Sequence, residues 1–363
     1  VGNYRFIFSG GGTGGHIYPA IAIANALRSR YPEAAILFVG ARDRMEMEKV
    51  PQAGYEIKGL WISGFQRRLS LRNLLFPIKL ISSLIQADRI VRDFKPHVVV
   101  GTGGFASGPL LKMAARRGIP CLLQEQNSYA GVTNKLLARQ AAKICVAYDG
   151  MDRFFPAEKI VKTGNPVRDD IVKPPVRSRE AYAYFGLDPE KHTLLILGGS
   201  LGARRINELI ASELPYFERF GIQLLWQCGK LYEKAYQDRG TGDIKVYPYI
   251  DRMDYAYAVA DFIISRAGAG TVSELCLAGK PAILIPSPHV AEDHQTKNAE
   301  ALVAREAALM IPERDLESRF EMVFTEVFHS PEKQKSFGKH IREMALPEAT
   351  EHIADEVEKL LPI

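Results

Sequence analysis

Five glycines and a threonine form the stretch Gly10-Gly11-Gly12-Thr13-Gly14-Gly15, and a histidine, His16, follows at once. Backbone without Cβ atoms can bring its N–H groups close to an anion, and a helix opening just beyond adds the positive end of its dipole. The apolar-periodic segment that follows predicts such a helix from about Pro19. The stretch satisfies GxGxxG, a pattern shared by nucleotide-binding turns and by tight turns that hold nothing. Three more turns use the same materials: GTGGFASGP (101–109), GGSLGARRIN (198–207) and SRAGAGTVSE (265–274). Each follows a short apolar run and is expected at the carboxyl end of a strand. One such turn is punctuation. Four on the same edges of two sheets predict a phosphate-rich ligand between two domains.

Two groups in these turns could do more than hold an anion. An imidazole is commonly neutral near working pH, its ordinary pKa being about 6.5, so His16 is a candidate general base. It could also bind a phosphate or cap the helix. Thr271 and Glu274 have the spacing of a capping box, with Thr271 as N-cap. The same carboxylate could instead accept hydrogen bonds from two ribose hydroxyls, and both readings stay open. The segment HVAEDHQ offers His289, Glu292, Asp293 and His294, but its spacing fits neither HExxH nor HxxEH, so a loop is expected there rather than a metal centre. No Asp-x-Asp occurs, which favours a site that works without metal. GxxxxGK[ST] is missing too, which argues against a P-loop enzyme. A dinucleotide dehydrogenase would want one glycine fingerprint with an acidic residue about 20 positions on. Asp43 lies further away, and the second glycine-rich half would be unexplained.

The elements that must position these turns alternate along the chain. YRFIFSG, AAILFVG, HVVVGTG, PCLLQEQ and KICVAY read as buried parallel strands in the first half. HTLLILGGS, IQLLWQCG, IKVYPYI, DFIISRAG and PAILIPS repeat the pattern in the second. Between them TGNPVRDDIVKPPVRSRE (163–180) reads as a linker. The expected fold class is α/β: two Rossmann-like, doubly wound domains in tandem with a cleft between them. The 363 residues suit two such domains, and 47% hydrophobic with 25% charged residues marks a globular chain. A net charge of +5 without a long basic run suits anionic ligands or an anionic membrane surface and argues against nucleic acid. Cys121, Cys145, Cys228 and Cys276 form no CxxC pair and read as reduced, buried thiols of a cytosolic protein. The opening strand runs straight into the glycine loop, so no signal peptide is expected before it, and no apolar run reaches the length of a membrane span.

In order, GGTGGHIYPA, GFASGP, EQNSYAG, GNPVR, GGSLGA and SRAGAGTVSE resemble the bacterial UDP-N-acetylglucosamine:lipid I N-acetylglucosaminyltransferase family of peptidoglycan synthesis. The resemblance runs from Phe6 to the terminal helices. It implies a GT-B fold with an acceptor domain over 1–164, a UDP-GlcNAc domain over 165–340 and a terminal helix (341–363) packing back on the first. It implies inverting transfer of GlcNAc to the muramic acid 4-hydroxyl of lipid I, giving lipid II, with no cofactor and no metal.

Motif by motif, the resemblance places Thr13, Gly14 and Gly15 near the donor sugar and diphosphate, with His16 as the candidate base. Asn127 and Gln295 would reach the sugar, Arg168 and Ser200 the diphosphate, and backbone atoms of Ile250 the uracil. Ala269, Gly270, Thr271, Val272, Ser273 and Glu274 would wrap diphosphate and ribose, with Glu274 on the ribose hydroxyls. Backbone groups of Gly103, Gly104 and Ser107 would cradle the acceptor's diphosphate. Phe105 stands where the family commonly has tyrosine, and Gly270 where it has leucine; the glycine implies a more flexible donor loop.

The lipid acceptor implies a peripheral enzyme at the cytoplasmic face of the plasma (inner) membrane, with cell-wall synthesis and division proteins as possible partners. Residues 64–85, GFQRRLSLRNLLFPIKLISSLI, combine Leu71, Leu74, Leu75, Ile78, Ile81 and Ile85 with Arg67, Arg68, Arg72 and Lys79. That composition suits insertion beneath anionic headgroups, and equally an amphipathic helix packed on the first sheet. Another UDP-sugar enzyme of the same fold (a glycolipid glycosyltransferase or a UDP-GlcNAc 2-epimerase) remains an alternative, as does a dinucleotide-dependent oxidoreductase.

Overall fold

Near-continuous apolar runs form the strands because parallel sheets are covered on both faces. The structure, a computed structural model, describes residues 3–63, 75–173, 176–199 and 201–362. The chain divides into two units, Val1–Val167 with Glu348–Ile363, and Arg168–Pro347.

The first unit holds β1 (Arg5–Gly10), β2 (Ala35–Ala41), β3 (Glu56–Leu60), β4 (Val98–Gly103), β5 (Cys121–Glu125), β6 (Lys143–Val146) and β7 (Ile160–Lys162). Their order is β3-β2-β1-β4-β5-β6-β7, parallel throughout. On one face Ile7, Leu37, Val39 and Val99 pack with the helices Phe76–Phe94, Ser107–Arg116 and Val132–Leu137. On the other, Phe6, Phe8 and Phe38 pack with the helices Gly14–Arg30 and Ala349–Glu358. The terminal helix belongs to this core: Ile353, Ala354 and Val357 are buried, and Arg30 pairs with Asp355 at 2.7 Å.

The second unit holds β8 (Thr193–Leu197), β9 (Gln223–Gln227), β10 (Ile244–Tyr247), β11 (Phe262–Ser265), β12 (Ala282–Leu284) and β13 (Leu309–Met310). Their order is β10-β9-β8-β11-β12-β13, again all parallel. Its core joins Leu194, Ile196, Trp226 and Ile264 to Phe320 and Phe324 of the helix Leu316–Phe328.

In each unit the winding reverses once, between β1 and β4 and between β8 and β11. The four glycine-rich turns follow these four strands. Each unit therefore brings two of them side by side at its switch point, where open α/β sheets bind ligands.

Three strands escape the apolar-run criterion. β3 (EIKGL) alternates polar and apolar residues at a sheet edge, and β7 and β13 are edge strands of three and two residues. The first helix also begins at Gly14 rather than near Pro19, which lies inside it. Thr13 is its N-cap, so Gly14 and Gly15 are helical and their amides belong to the unpartnered first turn.

The stretch 64–85 is described only from Leu75, so Arg67, Arg68, Leu71, Arg72 and Leu74 lie outside the described residues. The described part is an amphipathic helix with one face packed on the sheet and apolar residues exposed on the other. Ser83, Ala87 and Val91 are buried against the sheet, while Ile78, Ile81 and Ile85 stand 56%, 60% and 58% exposed along the opposite side. Lys79 turns to Ser63 (3.2 Å) and over the Trp61 ring. All four cysteines are free and buried, and burial pushes the Cys121, Cys145 and Cys276 thiols up to about 12. No described helix is long and apolar enough to cross a membrane.

Candidate active site

The two turns of the first unit touch through bare backbone. A Cβ on Gly104 would lie 2.5 Å from the Gly11 carbonyl oxygen, and one on Gly10 would lie 2.5 Å from the His16 carbonyl. Gly103 and Gly104 have φ of +109° and +94°, which only glycine adopts freely. The Thr102 hydroxyl donates to the His16 carbonyl (2.6 Å), and the buried Ser107 hydroxyl lies 2.9 Å from the Ser9 carbonyl and 2.8 Å from that of Gly103. The Ser107 side chain thus locks the turns together at the start of its helix.

His16 is half-buried in this frame. Its Nδ1 lies 2.9 Å from the Gly11 carbonyl oxygen, which can only accept, so Nδ1 carries a hydrogen, and in a neutral ring the lone pair is then on Nε2. The Nε2 edge runs along Gly103, where a Cβ would lie 2.9 Å from Nε2. An inert helix-cap role does not fit, because Thr13 is the N-cap and the ring turns back to the loop. Not every amide in the loop faces outward: Gly12 N–H donates to the buried carboxylate of Glu46 at 2.9 Å. A carboxylate there opposes a dinucleotide pyrophosphate at Gly11–Gly12, whereas Gly14 and Gly15 lie in the first turn of the helix.

Asn127 follows β5. Its backbone N–H and Nδ2 approach Glu125 Oε1 at 3.1 and 3.4 Å, while Glu125 Oε2 accepts from Gly131 N–H and Asn134 Nδ2, each at 2.9 Å. Gln126 donates to the Thr102 carbonyl (2.7 Å), tying this loop to β4. The structure therefore gathers Thr13, Gly14, Gly15, His16, Gly103, Gly104, Ser107 and Asn127 at one sheet edge.

In the second unit, the helix Ala269–Ala278 starts three residues earlier than the capping-box reading requires. Gly268 is the N-cap and makes no side-chain cap bond, so Thr271 sits third in the helix and Glu274 sixth. The capping box does not form. Ala269, Gly270 and Thr271 instead present first-turn amides, whereas Val272 N–H is bonded to the Gly268 carbonyl (2.9 Å) and the Ser273 hydroxyl to that of Ala269 (3.1 Å). Gly270 is helical rather than part of a flexible loop, and a Cβ there would meet nothing.

Freed from capping, Glu274 accepts from the buried Tyr257 hydroxyl at 2.8 Å through Oε2. Burial pushes its carboxyl above the ordinary glutamate value, while the Tyr257 bond and the charge of Arg168 pull it down. Arg168 forks onto Asp170 (Nε 3.2 Å, Nη2 2.7 Å) and reaches the Asp251 carbonyl at 3.2 Å. Ile250 donates its N–H to Gln227 (3.1 Å), so of its two backbone groups the carbonyl is the one left for a base. Gln295 Oε1 accepts from Ser287 N–H (2.9 Å), leaving its amino group to donate, and Asn298 of the same helix bonds the Ala267 carbonyl. Glu292 and Asp293, just before it, hold positive φ of 56° and 51°. Ser200 lies outside the described residues. No metal-ligating cluster occurs among the described residues.

Residues 6–146 match the glycosyltransferase family 28 N-terminal domain and residues 193–353 the family 28 C-terminal domain. This chain belongs to glycosyltransferase family 28. It is 56% identical over 359 residues to a UDP-N-acetylglucosamine–N-acetylmuramyl-(pentapeptide) pyrophosphoryl-undecaprenol N-acetylglucosamine transferase of Flavobacterium psychrophilum, covering 99% of this chain and 98% of the relative. A protein of the same name from Christiangramia forsetii is 57% identical over 357 residues, covering 98% of each. Among solved structures, Acinetobacter baumannii MurG matches with a TM-score of 0.80 at 30% identity, covering 99% of this chain and 100% of that one. The paired doubly wound units are those of a GT-B glycosyltransferase.

Three residues of this family 28 site escape sequence reasoning. Glu46 sits in the charged run ARDRMEMEKV, where nothing in the spacing marks it out. Tyr257 comes from the helix Met253–Val259 and meets Glu274 only in the fold. Glu125 stands inside the quoted EQN motif, but its burial under four donors depends on the loop closing over it.

An ionised carboxylate in this setting is held at a loss of stability, because its folded pKa is raised. That penalty is full above the folded value and disappears as pH falls through it toward the unfolded one. Glu274→Gln is therefore expected to raise the melting temperature at pH 7, with the gain shrinking on acidification. A lower melting temperature at pH 7 would contradict this electrostatic picture.

Proposed function

We propose that this chain is the inverting transferase that moves GlcNAc from UDP-GlcNAc to the muramic acid 4-hydroxyl of lipid I, forming lipid II. The observation that carries the reading is full-length identity above half to relatives named for that transfer. The geometry supplies what the chemistry needs. Glu274, held at one oxygen by Tyr257, offers the other to the ribose diol. The Ile250 carbonyl can accept from the uracil N3–H. The amides of Ala269, Gly270 and Thr271, with the planar fork of Arg168, stabilise charge growing on the departing diphosphate.

His16 Nε2 takes the proton of the acceptor hydroxyl as its oxygen bonds the anomeric carbon and the bond to UDP breaks with its electrons. Asn127 and Gln295 hold the sugar, and Gly103, Gly104 and Ser107 hold the acceptor diphosphate. An oxidoreductase reading is disfavoured by Glu46, whose carboxylate takes the Gly12 N–H that a dinucleotide pyrophosphate would need. In a transfer assay with a short-chain lipid I analogue, the wild type is expected to move labelled GlcNAc equally with and without EDTA. His16→Ala is expected to lower kcat by roughly 100- to 10,000-fold, the usual range for a lost general base. UDP-GlcNAc turnover without acceptor would point to an epimerase, and a loss confined to donor affinity would exclude the base.

The exposed Ile78, Ile81 and Ile85 support docking on a membrane that presents the acceptor. The active site then works at the cytoplasmic face, with cell-wall synthesis and division proteins as candidate neighbours. The double variant Ile78→Glu, Ile81→Glu is expected to cosediment several-fold less with anionic liposomes while melting like the wild type. Unchanged cosedimentation would contradict docking through this face.

A further inference from the structure

Glu46 is 1% exposed, and both oxygens of its carboxylate accept backbone N–H groups, Oε1 from Ala41 (3.0 Å) and Oε2 from Gly12 (2.9 Å). Room for it is made by two glycines. A Cβ on Gly11 would overlap Oε1, and one on Gly40 would lie 2.5 Å from Cγ. No ion pair neutralises this carboxylate among the described residues. Burying a charge without a cation is expensive, and an uncharged acceptor would be a cheaper way to satisfy amides.

The amide it holds is a particular one. Gly12 N–H and Gly11 C=O are the two polar groups of a single trans peptide, and planarity sets them on opposite edges. Glu46 binds one edge and His16 Nδ1 the other, at 2.9 Å each. Hydrogen bonds arranged in series across one amide polarise one another. Gly103 of the β4 turn lies along the Nε2 edge of the ring and brings no charge to it.

We propose that Glu46 is a positioning residue that acts on His16 through the Gly11–Gly12 peptide. Its negative charge deepens the charge on the Gly11 oxygen, which fixes the Nδ1–H tautomer and steadies the imidazolium formed when Nε2 takes the acceptor proton. No proton crosses the peptide. The arrangement does the work of the carboxylate in a Ser-His-Asp triad, with one amide inserted between acid and imidazole. This inference rests on His16 being the base.

The test uses the whole chain. Nitrogen-15 spectra of the wild-type imidazole are expected to show His16 protonated at Nδ1 and bare at Nε2. Glu46→Gln is expected to lower kcat by about 10- to 100-fold, the scale seen when outer partners of metal-bound histidines are removed. KM for UDP-GlcNAc should stay within about twofold, and the acid limb of the kcat profile should move to lower pH, since a less supported imidazole gives up its proton more readily. A folded Glu46→Gln with an unchanged acid limb overturns the proposal, and so does an Nε2–H tautomer in the wild type. Should Glu46→Gln not fold, the wild-type tautomer decides alone. A wild type that transfers no GlcNAc, or a His16→Ala that keeps its rate, sinks the functional reading instead.

Discussion

Two turns of the first unit meet where neither carries a side chain, and that contact fixes everything the site does. The β1 and β4 turns lie at the reversal of the winding, so the fold brings them side by side whatever their sequence. Only glycine lets them close until the backbone of Gly104 rests on that of Gly11 and the His16 ring rests on Gly103. The Thr102 and Ser107 hydroxyls then fasten the pair. His16 acquires a defined tautomer because the loop it faces has nowhere else to go.

The second unit uses its switch point differently. Its β8 turn packs on the neighbouring β9 turn, with Gly202 against Gly229, while the β11 turn opens into a helix whose first amides face outward. The Tyr257 hydroxyl behind that helix holds Glu274 through one carboxylate oxygen. In the mechanism we propose, one unit orients a base and the other accepts hydroxyls and stabilises an anion. A glycosyl transfer from a nucleotide donor needs both kinds of group.

The sheets were legible because buried parallel strands leave apolar runs, and the glycine turns because few residues tolerate such close backbone approach. Motif order named the family. Edge strands were not legible, since β3 alternates as a half-solvated strand does. Helix starts failed in one direction: Pro19 and Thr271 look like N-terminal signals, yet Thr13 and Gly268 cap helices that begin earlier. Glu46, Glu125 and Tyr257 stayed hidden because their roles come from what folding places against them. A buried carboxylate in a charged run has no local signature, and a tyrosine 17 residues from its partner has no periodic one.

The glycine contact itself is open to a direct measurement, the transfer rate of Gly103→Ala. A methyl there would lie 2.8 Å from the His16 ring at a φ of +109°, forcing the imidazole out of line while leaving the second unit untouched. The account predicts a folded protein that binds UDP as the wild type does and transfers GlcNAc at least about 100-fold more slowly, as when a general base is lost. A Gly103→Ala enzyme working at the wild-type rate would show that His16 does not depend on this contact.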